Sequence, residues 1–327
     1  MPNIDAPSIK KLSDPTELHR HLDVSVRLST LLELAHERGL EPQSTSLEQF
    51  REKIVLREPL SDLTAVLATF SLFQDVLDRP DVMARVAEEV IEDCRREGTR
   101  AVELRFSPTF VTERSKLKWQ DALDGFEEGV KRGLAKHPDM RAGLICIASR
   151  DYGPDAVAET VDFFLKHQER FVGLDLAGNE MGFPCALFKS SFLKARDRGA
   201  KITVHAGEAT GPENVWEAIE LLGARRIGHG IHSIADSELI AHLARESICL
   251  EMCPTSNWLT QATPSFEEHP LPKLLRAGVP VCINTDDPAV FGVGLDDEIR
   301  ICRTRMGLTE AEIGSCFEHA ARASFLT

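Results

Sequence analysis

Eight short apolar runs, separated by longer amphipathic stretches, constrain this chain more than any other feature. They fall at residues 17–22 (ELHRHL), 101–107 (AVELRFS), 142–148 (AGLICIA), 171–177 (FVGLDLA), 201–205 (KITVH), 226–229 (RIGH), 248–252 (ICLEM) and 279–284 (VPVCIN). Helical patterns lie between them at 81–96, 155–166, 212–222 and 236–245, and Gly98, Gly199 and Gly278 stand as helix stops just before strands. Strands that alternate with helices imply βα units and a parallel sheet. Eight such units predict an α/β fold, a (β/α)8 TIM barrel, and 327 residues is an ordinary length for that architecture as one domain.

Polar, chemically capable residues follow the runs: His19 and His21, Ser107, Gly178, His205 and Glu208, His229, and the pair Asp286–Asp287. In a barrel of this kind the carboxyl ends of the strands converge on one face, where sites are built. The first connection departs from the pattern. Residues 28–98 are too many for a simple loop and contain several helical segments, so a helical insertion is expected after the first strand. Within it Leu63, Val66, Leu67 and Phe70 recur at helical spacing. They suit an apolar lid over the mouth, with Leu63, Leu67 and Phe70 against substrate, or the plain packing of the insertion onto the barrel. Near the end, Thr309 and Glu312 form a capping box for a last helix to about residue 324.

Composition narrows the partners. A net charge of −14 argues against a polyanion, because nucleic-acid affinity comes largely from Lys and Arg on phosphates. No apolar run approaches bilayer length, so no membrane association is expected. The amino terminus, MPNIDAPSIKKLSDP, shows no leader pattern, which predicts a cytoplasmic protein. Eight cysteines without a CxxC pair, mostly in apolar segments, read as buried thiols. A small neutral molecule fits better than a polymer.

The chemistry concentrates in four places. His19 and His21 are two apart on a strand and point to the same side, as ligands of one ion or as ordinary surface histidines. In His205-Ala206-Gly207-Glu208 the small residues permit a tight turn, bringing an imidazole and an acid to one cavity; a helix-capping Glu208 is the plainer reading. His229 lies between Gly228 and Gly230, which allow close approach, while nearby His232 reads as a supporting or surface residue. Asp286 and Asp287 repel each other, so at a buried strand end at least one must face a cation or a donor. Neighbouring positions diverge there, so one acid can meet a metal and the other a substrate group. His19, His21, His205 and Asp286 make an N₃O set that suits zinc, with iron and manganese compatible by ligand type. One ion is expected rather than two, since the fourth strand ends in DLAGNE without a lysine to bridge a pair.

ELHRHLD, LRFSP, DLAGNE, TVHAGE, GHGIH, CPTSN and NTDDP resemble, in order and relative position, the motifs of the adenosine deaminase family of metal-dependent amidohydrolases, over nearly the whole chain. The resemblance implies one zinc ion per chain on His19, His21, His205 and Asp286, and hydrolytic attack on the purine carbon bearing the amino group. It implies that Glu208, with a raised pKa, donates a proton to the adjacent ring nitrogen, and that His229 orients the attacking oxygen. Asp287 would bond the imidazole-ring nitrogen of the purine and the Gly178 N–H another ring nitrogen. His21 and Asp23 would lie against the substrate. Asp23 matches the position that meets the ribose hydroxyl in adenosine deaminases, where the similar adenine deaminases carry Glu, so a purine nucleoside, adenosine and 2′-deoxyadenosine, is the expected substrate. Val24 departs from the usual glycine and adds bulk beside the ribose position. Adenine, a modified adenine nucleoside and, from another class, a silent nucleoside-binding barrel are the alternatives. The zinc deaminases of nucleic acids pair HxE with PCxxC, and no PCxxC occurs here; a Walker A motif is likewise missing.

Overall fold

The computed structural model describes residues 15–326. The amino-terminal stretch on which the cytoplasmic expectation rests lies, but for Pro15, outside the described residues. Eight parallel strands form one sheet in chain order: β1 (Thr16–His21), β2 (Ala101–Phe106), β3 (Arg141–Ser149), β4 (Gly173–Ala177), β5 (Ile202–Ala206), β6 (Arg226–His229), β7 (Cys249–Met252) and β8 (Val281–Ile283). All eight expected strands are present, with ends that differ by no more than two residues. Gly98, Gly199 and Gly278 end helices with positive φ, and Thr309 caps the helix Glu310–Ala323 in a box with Glu312. The amphipathic run at 212–222 is helical throughout but changes from α (Pro212–Glu217) to a π turn (Ala218–Leu222).

The sheet closes on itself just past β8. The His21 N–H donates to Asp286 O at 2.9 Å and the Asp286 N–H to His19 O at 3.1 Å. Three of the four expected metal ligands, His19, His21 and Asp286, are therefore seam residues, and His205 comes from β5. Glu17 reinforces the seam by accepting from the Thr285 N–H at 2.9 Å.

Alternation along the strands sends most apolar side chains outward to the helices and most polar ones inward, with Arg20 turned out to Glu97 and Ile147 turned in to the mouth as exceptions. Arg105 and Arg226 lie buried inside the barrel with Glu103, Asp175 and Glu251. Arg105 bridges Asp175 and Glu251, both at 2.7 Å. Arg226 bridges Glu251 at 2.6 Å and Glu103 at 2.7 Å. Two guanidiniums against three carboxylates leave the interior net negative below the strand ends. The end of the described chain plugs the opposite mouth: Glu103 accepts from Ser324 Oγ at 2.7 Å, and the Arg226 guanidinium lies 3.6 Å from the centre of the Phe325 ring.

The connection from β1 to β2 carries the helices Leu28–Glu37, Leu47–Ile54, Leu63–Leu67, Ser71–Val76 and Pro80–Arg96. The last packs on Trp119–Lys136, where Gly125, Gly129 and Gly133 allow close approach, and belongs to the outer ring of the barrel. The earlier helices cross the strand ends. Leu56 N–H donates to Val290 O at 2.8 Å and Leu60 N–H to Leu259 O at 3.1 Å, tying the insertion to the connections after β8 and β7. Among the described residues no helix is long and apolar enough to cross a membrane, and all eight cysteines are free and buried.

Phe325 is buried against Arg226, so Phe325→Ala removes both packing and the cation–π contact. A loss of about 3 kcal/mol is expected from urea unfolding; an unchanged midpoint would show that the plug adds nothing to stability.

Candidate active site and metal centre

His19 and His21 project from β1, His205 from β5 and Asp286 from the seam, all into the mouth of the barrel. His19 Nε2 lies 3.2 Å and His21 Nε2 3.3 Å from Asp286 Oδ1, and the Nε2 atoms of His21 and His205 are 3.3 Å apart. Behind them stand carboxylates, with Glu251 2.9 Å from His19 Nδ1 and Asp175 3.1 Å from His205 Nδ1. Burial opposes ionisation of Glu251, but Arg105 and Arg226 outweigh it and hold the acid well below the usual range. Burial likewise opposes ionisation of Asp175, which His205 and Arg105 keep low. Ionised acids accept only, so both histidines carry their hydrogen on Nδ1 and turn an Nε2 lone pair inward. His19 Nε2 is buried without a hydrogen-bond partner. Lone pairs converging with a carboxylate repel one another unless a cation lies between them, and three imidazoles with one carboxylate fit zinc. Among the described residues, ligand atoms of His19, His205, His229 and Asp286 all lie within 4.8 Å of one another, so proximity alone does not separate His229 from the ligands.

His229 Nε2 is 3.5 Å from Glu208 Oε2 and 3.8 Å from Asp286 Oδ2. Both His229 and Asp286 have left-handed backbones, φ 59° and 63°, a strained setting for such residues that the close packing of the strand ends maintains. Gly228 makes room beside them, for a Cβ there would lie 3.1 Å from His19 Cε1. Burial, then the charges of Asp286, Glu180 and Asp287, push the Glu208 carboxyl well above its usual range. Burial with Asp286 and Asp23 does the same to Asp287, whose Oδ1 has no hydrogen-bond partner. Asp23 accepts from the Ser107 N–H through Oδ2 at 3.0 Å, and burial raises its carboxyl too.

Of these groups His21, Asp23, His205, Glu208, His229, Asp286 and Asp287 line one cavity of about 390 Å³, and His19, Asp175 and Glu251 do not. Its walls include His21, Asp23, Val24, Gly178, His205, Glu208, His229, Asp286 and Asp287, and Leu63, Leu67 and Phe70 cover it. Val66, from the same helix, is buried and does not line it. Glycine is required at 178: with φ 104° a Cβ would lie 1.8 Å from Asp151 Oδ2. His232 lies outside this cavity, 3.1 Å from Gly207 O through Nδ1.

Sequence reasoning passed over the residues that hold these groups. Besides Glu251 and Asp175, Glu180 accepts from four successive backbone N–H groups, Gly207 to Thr210, and so fixes the turn that presents Glu208. Asn257 Nδ2 lies 3.0 Å from His229 Nδ1. A signal was present for three of them, since Asp175 and Glu251 interrupt apolar strands and Glu180 closes DLAGNE.

Residues 15–327 match the sequence profile of the family described as adenosine deaminase. The chain belongs to the adenosine deaminase family. It is 39% identical over 311 residues to the adenosine deaminase of Shewanella loihica, covering 95% of this chain and 94% of that one. The adenine deaminase of Arthrobacter aurescens superposes with a TM-score of 0.89 at 26% identity, covering 96% of this chain and 94% of that one. The Arabidopsis protein ADAL, solved with GMP, superposes at 0.83 and 26% identity, covering 98% and 94%.

Asp175→Asn keeps the shape of the side chain but no longer holds His205 as a charged acceptor. Zinc affinity by chelator competition is expected to fall by on the order of 10–100-fold with the fold retained by circular dichroism; unchanged affinity would remove Asp175 from the metal centre.

Proposed function

We propose that this chain hydrolyses adenosine and 2′-deoxyadenosine to the 6-oxopurine nucleoside and ammonia, with one zinc ion per chain on His19, His21, His205 and Asp286. The observation that carries the reading is the single cavity in which this cluster, a buried acid with a strongly raised pKa and a second acid with an unpartnered oxygen face one another. Zinc, when bound, lowers the pKa of water towards neutrality and so supplies hydroxide for the hydrolysis.

The remaining work falls to the chain. Glu208, kept protonated by burial and by neighbouring acids, donates to the ring nitrogen next to the reacting carbon. His229, within reach of both Glu208 and Asp286, orients the attacking oxygen. Asp287, also held protonated, donates from its free oxygen to the imidazole-ring nitrogen of the purine, and the Gly178 N–H meets another ring nitrogen. The helices of the insertion act as a lid on the single barrel domain, with Leu63, Leu67 and Phe70 excluding water from the base.

Charge supports a nucleoside over a nucleotide. Besides the protonated Glu208 and Asp287, the cavity is lined by Asp23, Glu113, Asp151 and Asp286, with no Lys or Arg among its residues, so a phosphate would meet acids and no counter-charge. GMP, seen in ADAL, is a poor guide for this chain. Asp23, with one oxygen held by Ser107 and the other facing the cavity, supports a ribose hydroxyl and hence adenosine over adenine.

Zinc-loaded protein is expected to release ammonia quickly from adenosine and 2′-deoxyadenosine and at least about 10²-fold more slowly from adenine and AMP, because an unpaired buried polar group penalises the wrong ligand. Comparable rates on AMP would overturn the charge argument. Glu208→Gln should keep zinc and nucleoside binding and lose on the order of 10²–10⁴ in kcat; near-normal turnover would sink the proton-donor role. A Glu at its usual value near 4.3 would have lost its proton at neutral pH. The raised Glu208 keeps it, so kcat/KM should stay level into the neutral range and fall only as pH rises through the raised value. A decline beginning at about pH 4.3 would contradict it.

A further inference from the structure

One backbone group sets the direction of a buried hydrogen-bond chain behind the site. The Leu271 N–H donates to His269 Nδ1 at 3.1 Å. A nitrogen that accepts carries no hydrogen, so the ring hydrogen of His269 sits on Nε2. His269 is 2% exposed, and burial pushes its imidazole down to about 3, which keeps it neutral. Its Nε2 lies 3.1 Å from Asn257 Oδ1 and donates there. That bond fixes the Asn257 amide, whose Nδ2 then faces His229 Nδ1 at 3.0 Å and donates to it. His229 Nδ1 accepts, so its hydrogen sits on Nε2, the edge that faces Glu208 and Asp286.

The neighbouring histidines are set the other way. His19 and His205 have carboxylates behind Nδ1 and turn lone pairs to the cluster, whereas His229 has an amide donor behind it and turns a hydrogen. We infer that Asn257 and His269 are positioning residues that lock His229 as a hydrogen-bond donor into the cavity and deny its lone pair to the cation. The cation is thereby left to His19, His21, His205 and Asp286, although His229 is as close as a ligand. The inference rests on the deaminase reading for its catalytic consequence, but the tautomer itself is observable without turnover.

The test is long-range ¹H–¹⁵N correlation on ¹⁵N-histidine-labelled protein, with and without zinc, beside kcat and KM for adenosine. Wild-type His229 is expected to show hydrogen on Nε2 in both states. Asn257→Asp is nearly isosteric but can only accept, so His229 should move its hydrogen to Nδ1 or become charged, with kcat down on the order of 10²-fold at little change in KM. His269→Leu should leave His229 in a mixture of tautomers and lower kcat by roughly 10-fold. His269→Gln can accept from Leu271 and donate to Asn257, so it should restore both the spectrum and kcat. Hydrogen on Nδ1 of wild-type His229, wild-type kcat in Asn257→Asp, or equal behaviour of Gln and Leu at 269 would overturn the relay. Failure of wild-type protein to deaminate any aminopurine would refute the reaction instead, while the spectra still decide the tautomer.

Discussion

Arg105 is the constraint on which the rest of this structure depends. Wholly buried, it spans Asp175 and Glu251, and each of those acids also holds a histidine of the cluster. One guanidinium therefore contacts two carboxylates, which it keeps ionised together with Arg226 at Glu251 and His205 at Asp175, and the two ionised carboxylates aim two imidazole lone pairs. A buried ion pair contributes little net stability over an apolar core, and breaking one costs about 3–5 kcal/mol. What Arg105 and Arg226 supply is orientation in a space that other barrels fill with aliphatic side chains. The excess of carboxylate over guanidinium leaves a negative floor under the cluster, suited to a cation above it.

Strand ends, seam and site are one object. His19, His21 and Asp286 close the barrel through their backbones and present the cluster with their side chains. Loosening the seam would loosen the cluster, so the geometry is held by strand pairing and not by loop conformation. Left-handed backbones at His229 and Asp286 belong to the same arrangement. They are strained positions at the rim where the surrounding sheet over-determines the chain.

Around the cavity, environment separates residues of one kind into different tasks. Asp286 and Asp287 are adjacent, yet histidines hold the first ionised against burial while burial and its neighbour hold the second protonated. Glu208 and Glu180 differ likewise: one faces the cavity and keeps its proton, and the other accepts four backbone hydrogens in the turn beneath. Four histidines turn Nε2 to the cluster, and for His19, His205 and His229 what stands behind the ring separates acceptor from donor.

Period and spacing alone determined the eight strands, their parallel order and the collection of His19, His21, His205, Glu208, His229 and Asp286 at one end, because strand alternation and barrel topology are local and repetitive properties. The resemblance of TVHAGE and NTDDP to a family added roles to those positions. Sequence could not decide what stands behind them. Glu251 reaches His19 across 232 positions of chain, Asp175 reaches His205 across 30, and the path from Leu271 through His269 and Asn257 to His229 runs from the connection that follows β7 to the end of β6. Hydrogen placement, proton affinity and the sign of the cavity depend on burial and on partners distant in the chain, and only the tertiary structure brings those together.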